Sequence, residues 1–91
     1  MIGTAYFFNR QFDEAAAQLR LAIQDYPGFP FTHRTLAACY AHMGRLEEAR
    51  AIVAQLRAIT PLLVPNDLPF RNPEDRELYL SGLRLAAGET E

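Results

Sequence analysis

Residues 33–61 read HRTLAACYAHMGRLEEARAIVAQLRAITP, and a related pattern stands 34 residues earlier in residues 1–27, MIGTAYFFNRQFDEAAAQLRLAIQDYP. Sliding residues 1–27 onto residues 35–61 aligns five identical pairs. The pairs are Tyr6 with Tyr40, Glu14 with Glu48, Ala15 with Ala49, Ala17 with Ala51, and Pro27 with Pro61. An internal period of this length indicates a repeat architecture, in which each unit buries its apolar face against a neighbour.

Each copy has the pattern of two antiparallel helices. In the second helix of each copy, apolar residues recur at steps of three and four and form one stripe. The stripes comprise Phe12, Ala15, Ala16, Leu19, Ala22, Ile23 and Tyr26 in the first copy, and Leu46, Ala49, Ile52, Val53, Leu56 and Ile59 in the second. Ala15 and Ala49 are expected where the helices cross, because a small side chain permits close backbone approach. Pro27 and Pro61 end the hairpins, since proline cannot continue a helix.

This period and pattern identify a family resemblance. The second copy has His33, Leu36, Ala37, Tyr40, Gly44, Ala49, Val53 and Pro61 at the signature positions, and the first has Ile2, Gly3, Tyr6, Ala15, Leu19, Ala22 and Pro27. The chain therefore resembles a pair of tetratricopeptide repeats over residues 1–61, the first one truncated at its N-terminus. It departs from the pattern at His33, usually aromatic, and at Arg10, where the turn usually has glycine. An unrelated pair of amphipathic helical hairpins is the alternative.

The rest of the chain predicts a linker and one more helix. Residues 62–72 are expected to be the linker, because LLVPNDLPFR (62–71) contains two prolines and no helical period. Residues 73–88 are expected to form a C-terminal capping helix, with Asn72 as N-cap and Gly88 as its stop. Its predicted apolar stripe comprises Leu78, Tyr79, Gly82, Leu83 and Ala86. The predicted fold is an all-α superhelix of two helix-turn-helix repeats plus this cap, with helices near 1–9, 12–26, 31–43, 46–59 and 73–87.

The tail carries a second resemblance. Leu-Pro-Phe-Arg followed by Asn-Pro-Glu-Asp-Arg-Glu-Leu-Tyr-Leu-Ser-Gly-Leu-Arg is similar to the extreme C-terminus of certain bacterial class III adenylate or guanylate cyclases and regulators that end in tetratricopeptide repeats. This resemblance, over about residues 33–88, implies a parent protein with a cyclase or regulatory domain upstream of residue 1. The paired metal-binding aspartates of such a cyclase have no counterpart here, so the resemblance implies no catalytic residue.

Nothing in the composition indicates an enzyme, a metal site or a cofactor. The net charge of −2 and nine scattered basic residues, all arginine, do not suggest a nucleic-acid surface. His33 and His42 lie nine residues apart, on opposite sides of one helix, and cannot share a metal ion. His33 is expected in an inter-helix packing position, and the only cysteine, Cys39, pairs by repeat with Ala5 and is expected to be a small buried residue. Carboxylate pairs at helix starts are explained by the helix dipole.

A binding surface therefore remains as the candidate functional feature. In a solenoid of this kind the first helix of each repeat lines a concave face that holds a peptide. The candidate partner-binding residues are Thr4, Phe7 and Phe8 from the first copy and Phe31, Arg34, Thr35, Ala38, Ala41 and His42 from the second. Some family members grip a peptide carboxylate with Lys, Asn and Arg, but Ala38 and Thr4 stand at the Asn position, so an apolar or aromatic partner is expected.

The leading hypothesis is a protein-interaction or regulatory scaffold module at the C-terminus of a larger bacterial signalling protein. The alternative is a purely structural solenoid cap that packs on its parent protein and has no ligand of its own. No apolar run reaches the roughly 20 residues of a membrane span, and no charged region precedes the first apolar stretch as in a signal peptide. The expected location is the cytoplasm, or the periplasm if the parent protein spans a membrane.

The N-terminal edge also predicts self-association. Residue 1 falls at about the seventh position of its repeat, so a preceding repeat would have covered Ile2, Tyr6 and Phe7. Left bare, each of these side chains forgoes roughly 1.5–3 kcal/mol of burial. We therefore expect a homodimer built around residues 2–12. The alternative is that the last helix folds back over this edge.

Overall fold

The computed structural model describes residues 6–28, 30–60 and 72–88. The described part of α1 is residues 6–8, and the other helices are α2 (Phe12–Asp25), α3 (Pro30–His42), α4 (Leu46–Ile59) and α5 (Pro73–Ala86). Strands are absent from these three ranges, and the predicted all-α fold is confirmed. Each described helix bound agrees with its prediction to within one residue. The predicted linker, Ile2 and Thr4 lie outside the described residues.

The sequence repeat is visible in the backbone of the two inter-helix turns. The paired hydrogen bonds are Arg10 N to Phe7 O (3.0 Å) and Gln11 N to Tyr6 O (2.9 Å), matched 34 residues later by Gly44 N to Ala41 O (3.1 Å) and Arg45 N to Tyr40 O (2.9 Å). Both turns place one residue in the left-handed region, Gly44 with φ of 80° and Arg10 with φ of 61°. Glycine adopts this conformation without steric cost, and arginine does not. Arg10 therefore performs a glycine's role in the first turn.

The central parts of the two predicted stripes form part of the core. Ala15 and Ala49, the predicted crossing residues, are both fully buried. Their neighbours Ala16, Leu19, Val53 and Leu56 are buried as well. The ends of the stripes are not: Tyr26 is 72% exposed and Ile59 is 37% exposed. Including Tyr26 was wrong because α2 ends at Asp25, so the C-cap residue Tyr26 leaves the helical path with φ of −136°.

Helix α3 lies at the centre of the molecule. Residues 32–41, ten consecutive positions, are all buried. Because α2, α4 and α5 all pack against α3, none of its faces remains open to solvent over this stretch. The buried residues include the polar side chains of Thr32, His33, Arg34 and Thr35.

Helix α5 begins and ends as its sequence predicts. The Asn72 side chain accepts a hydrogen bond from the Glu74 backbone N at 2.9 Å, with proline at the first helical position. Gly88 follows the C-cap residue with φ of 86°, a conformation that suits a helix stop. The helix packs mainly along α3 and only slightly against α4. It thereby covers the face of α3 that was expected to be an open concave surface.

Candidate functional site

The candidate site is the concave face of the two repeats, which we call the groove and define by Phe7 of α1 and Phe31, Thr35, Ala38 and His42 of α3. Helix α5 lies in this groove. Of the predicted partner-binding residues, Phe7, Thr35, Ala38, Ala41 and Arg34 are buried, and Phe8, Phe31 and His42 are half-buried. The surface predicted to hold a partner thus holds a helix of the same chain.

At the middle of the groove, Gly82 of α5 meets Ala38 of α3. A Cβ atom built on Gly82 would lie 2.7 Å from the Cβ of Ala38 and 2.9 Å from its Cα and its carbonyl oxygen. Carbon atoms in contact normally stand about 3.5–4.0 Å apart. Only glycine therefore fits at position 82 with the two helices at this separation.

Tyr79 anchors α5 at the aromatic end of the groove. Its ring stacks on Phe31, with centroids 5.9 Å apart and an interplanar angle of 15°, and meets the edge of Phe7 at 6.3 Å and 83°. The side chain is fully buried. Burial raises the pKa of the Tyr79 hydroxyl to about 12, although the nearby Thr35 hydroxyl and the charge of Arg34 act in the opposite direction. Tyr79 is therefore a neutral anchor at physiological pH.

His42 provides a polar contact to α5. Its Nε2 lies 2.7 Å from the carbonyl oxygen of Leu78, and because a carbonyl only accepts, the ring nitrogen donates this hydrogen bond. The imidazole also stacks on Phe12, with centroids 5.5 Å apart and an interplanar angle of 15°. His42 therefore contacts the backbone of α5 from the groove.

Phe7 is not bare, contrary to the expectation behind the self-association hypothesis. It is fully buried and meets Phe8 at 5.0 Å and Phe12 at 5.7 Å, in addition to Tyr79. The reason is that α5 folds back over this edge, the alternative considered from the sequence. Tyr6 is half-buried against the same core. The homodimer itself stays a prediction.

Cys39 is the fully buried small residue that the sequence predicts. Its Sγ donates a hydrogen bond to the carbonyl oxygen of Phe12 at 3.1 Å. Burial, assisted by the nearby negative charge of Asp13, raises the pKa of the thiol to about 12. A thiol with this pKa is not an activated nucleophile, because only the thiolate is reactive.

Arg20 and Arg45 both contact the side chain of Tyr40. Arg20 of α2 donates a hydrogen bond from Nη1 to the Tyr40 hydroxyl at 2.9 Å. The guanidinium of Arg45 lies 5.0 Å from the Tyr40 ring centroid and makes a bidentate pair with Glu48 at 2.7 and 2.6 Å.

His33 is buried at 2% exposure, as its predicted packing position requires. Within the described ranges, no group of three His, Cys, Asp or Glu residues could hold a metal ion.

The leading interpretation of the sequence did not place α5 in the groove. The apolar stripe of α5 was predicted to cap the second repeat, and the groove face of α3 was predicted to bind a separate partner. One available signal was Gly82 itself, because a glycine inside a helix lowers stability by roughly 0.5–1 kcal/mol relative to alanine unless close packing requires it. Ala38 carries no comparable signal in an alanine-rich helix.

Comparison with protein families identifies a relationship for the repeat region. A family model for the tetratricopeptide repeat matches residues 9–62, a range that includes α2, α3 and α4 but not α5. No curated protein and no solved structure matches this chain significantly. In the part of the chain that the structure describes, no helix is long and apolar enough to cross a membrane.

Proposed function

Because the chain belongs to the tetratricopeptide repeat family, whose members bind proteins or peptides, we propose that it is a protein-interaction module whose groove binds an amphipathic helix. One observation carries the proposal: the groove accommodates a helix, since α5 buries Tyr79, Gly82, Leu83 and Ala86 in the fold. The opposite side of α5 is polar, with Glu74 and Glu77 exposed.

The chemistry of the groove supports an apolar, aromatic ligand. Phe7 and Phe31 form an aromatic end that receives a ring, and Ala38 forms a shallow centre that receives a small residue. Burying an aromatic or leucine side chain in such a surface contributes roughly 1.5–3 kcal/mol. His42 adds a directional hydrogen bond to a helix carbonyl. This combination of an aromatic anchor and a polar contact favours helix-in-groove recognition.

The wider setting rests on the sequence alone. The resemblance of the tail to bacterial cyclases and regulators supports the proposal that the module serves a larger bacterial signalling protein. The genomic reading frame upstream of Met1 tests this part: a cyclase or regulatory domain in the same frame would support it, and an unrelated upstream gene would contradict it.

A structural role is the second candidate function, and the position of α5 favours it. If α5 is a permanent part of the core, the groove has no vacancy and the chain acts as a solenoid cap with no ligand of its own. The two functions differ in whether the groove ever binds a second molecule.

Capture with a matched pair of variants separates them. The immobilised full chain is exposed to proteins of its own organism, captured proteins are identified by mass spectrometry, and each is then titrated. Ala38→Leu fills the groove, whereas Ala51→Leu makes the same change at an exposed position of α4. Saturable binding that survives Ala51→Leu and is lost with Ala38→Leu, both variants being folded by circular dichroism, would support the interaction module. Absence of any saturable partner would favour the structural cap.

A further inference from the structure

Helix α5 has the character of a docked ligand of the groove. The family match ends at residue 62, before α5 begins. Residues 61–71, which connect α4 to α5, contain Pro61, Pro65 and Pro69. The main partner of α5 is the groove helix α3, and it makes few contacts with α4, the helix that precedes it along the chain.

The contacts of α5 define a spacing of side chains along a bound helix. The aromatic ring of Tyr79 stands between Phe7 and Phe31, and three residues later Gly82 faces Ala38. Leu83 and Ala86, four and seven residues after Tyr79, are fully buried. Residues with these spacings share one side of a helix.

We propose that the groove selects amphipathic helices with an aromatic residue, a glycine three residues later, a leucine four residues later and a small residue seven residues later, and that α5 occupies the groove until such a partner displaces it. This inference rests on the proposed function and names the chemistry of the partner. The glycine is the strict requirement, because the 2.7 Å approach of a Cβ to Ala38 excludes every larger residue at that position.

Competition by α5 sets how tightly a partner has to bind. A tethered helix has an effective concentration in about the millimolar range. An outside helix with the same contacts binds only to the fraction of molecules in which α5 has left the groove, and its apparent affinity is lowered by that fraction. Weakening α5 without changing the groove should therefore strengthen binding in trans.

The test uses a fluorescently labelled peptide of residues 72–88 as the probe and the full chain as the receptor, with binding measured by anisotropy. Gly82→Leu in the full chain pushes its own α5 out of the groove while leaving every residue of α1–α4 unchanged. We expect this variant to bind the wild-type peptide at least ten-fold more tightly than the wild-type chain does. A peptide that itself carries Gly82→Leu should bind the opened receptor at least ten-fold more weakly.

Glu77→Leu is the matched control, because Glu77 is an exposed residue on the opposite side of the same helix. It should leave peptide binding at the wild-type level. Tyr79→Ala is the second opening variant, since it removes the aromatic anchor of α5 by a different physical route. Circular dichroism and urea denaturation establish whether each receptor keeps its repeat helices.

Three results would overturn the proposal. One is a folded Gly82→Leu chain that does not bind the peptide. Another is unfolding of both opening variants, which would make α5 an integral part of the core. The third is a wild-type dimer in sedimentation equilibrium that exchanges α5 between copies, which would make a second copy the occupant. If the folded, opened chain ignores this peptide but still binds another protein through Ala38, the interaction function stands and only this spacing rule fails.

Discussion

Gly82 of α5 and Ala38 of α3 meet at a helix crossing so close that a Cβ on Gly82 would lie 2.7 Å from the Cβ of Ala38. Ala38 was expected to line an open groove, and Gly82 to lie in the stripe of a cap. Their meeting brings the aromatic end of the groove within reach of Tyr79, which stacks on Phe31. The contact therefore links the predicted binding surface to the C-terminal helix.

The Gly82–Ala38 crossing predicts that Gly82→Ala destabilises the chain. Alanine favours a helix over glycine by about 1 kcal/mol, but the new methyl group has no room, and overpacking of this kind costs about 1–3 kcal/mol. Urea denaturation should show a lower free energy of unfolding. Gly28→Ala is the control, because a Cβ there meets no atom within 4 Å, and its effect should be small. A gain in stability from Gly82→Ala would show that the crossing is looser than described.

Arg10 predicts a stabilising change. Its φ of 61° is the left-handed conformation that Gly44 adopts at the equivalent place in the second turn. Arg10→Gly should raise the free energy of unfolding by about 0.5–1 kcal/mol, because relief of the steric cost exceeds the entropy that glycine adds to the unfolded chain. The reciprocal change, Gly44→Ala, should lower it by more than about 1 kcal/mol. Thermal denaturation of the two variants measures both, and destabilisation by Arg10→Gly would contradict the turn assignment.

Ala49 tests the packing of α4 against α3. Ala49 is fully buried on α4, whereas Gln55 of the same helix is exposed. Ala49→Leu should cost about 1–3 kcal/mol from overpacking, and Gln55→Leu should change the free energy of unfolding by less than about 0.5 kcal/mol. Chemical denaturation of both proteins gives the comparison. Equal midpoints for Ala49→Leu and the wild type would mean that the helices do not cross at this alanine.

Cys39 predicts a loss of stability at alkaline pH. Its thiol has a pKa of 9.0 when unperturbed and about 12 in the fold, because of burial. Above pH 9 the unfolded chain releases the thiol proton while the folded chain keeps it. The contribution of the protonated Cys39 thiol to the free energy of unfolding is therefore complete below pH 9 and falls as the pH rises toward 12. Between pH 8 and pH 10 the wild type should lose about 1 kcal/mol more than Cys39→Ala.

The measurement is a series of urea denaturations across that pH range. The sequence contains no lysine, so no lysine side chain titrates in it. Burial also raises the pKa of Tyr79, but its unperturbed value of 10.0 places most of its effect at higher pH. Parallel pH profiles for the wild type and Cys39→Ala would show that the thiol titrates equally in both states.

Much of the fold could be predicted because its causes are local. The 34-residue period placed Ala15 and Ala49 at equivalent buried positions. The N-cap residue and the glycine stop predicted both ends of α5. Asn72 accepts a backbone hydrogen bond at the start, and Gly88 adopts a positive φ after the end. These features depend on residues a few positions apart. The predicted apolar stripe of α2 was one residue too long, because the helix ends at Asp25 and Tyr26 lies outside it.

The site could be predicted only by halves. The sequence alone determined the helices, the repeat and the apolar stripe of α5, and it predicted a groove face on α3. Only the tertiary structure decided that these two surfaces meet, with Tyr79 against Phe31 and His42 bound to the carbonyl of Leu78. The physical reason is that an amphipathic stripe specifies that burial must occur but not against what, since the hydrophobic effect has no direction. The choice of partner depends on shape at close range, and here it depends on the absence of one Cβ atom at Gly82.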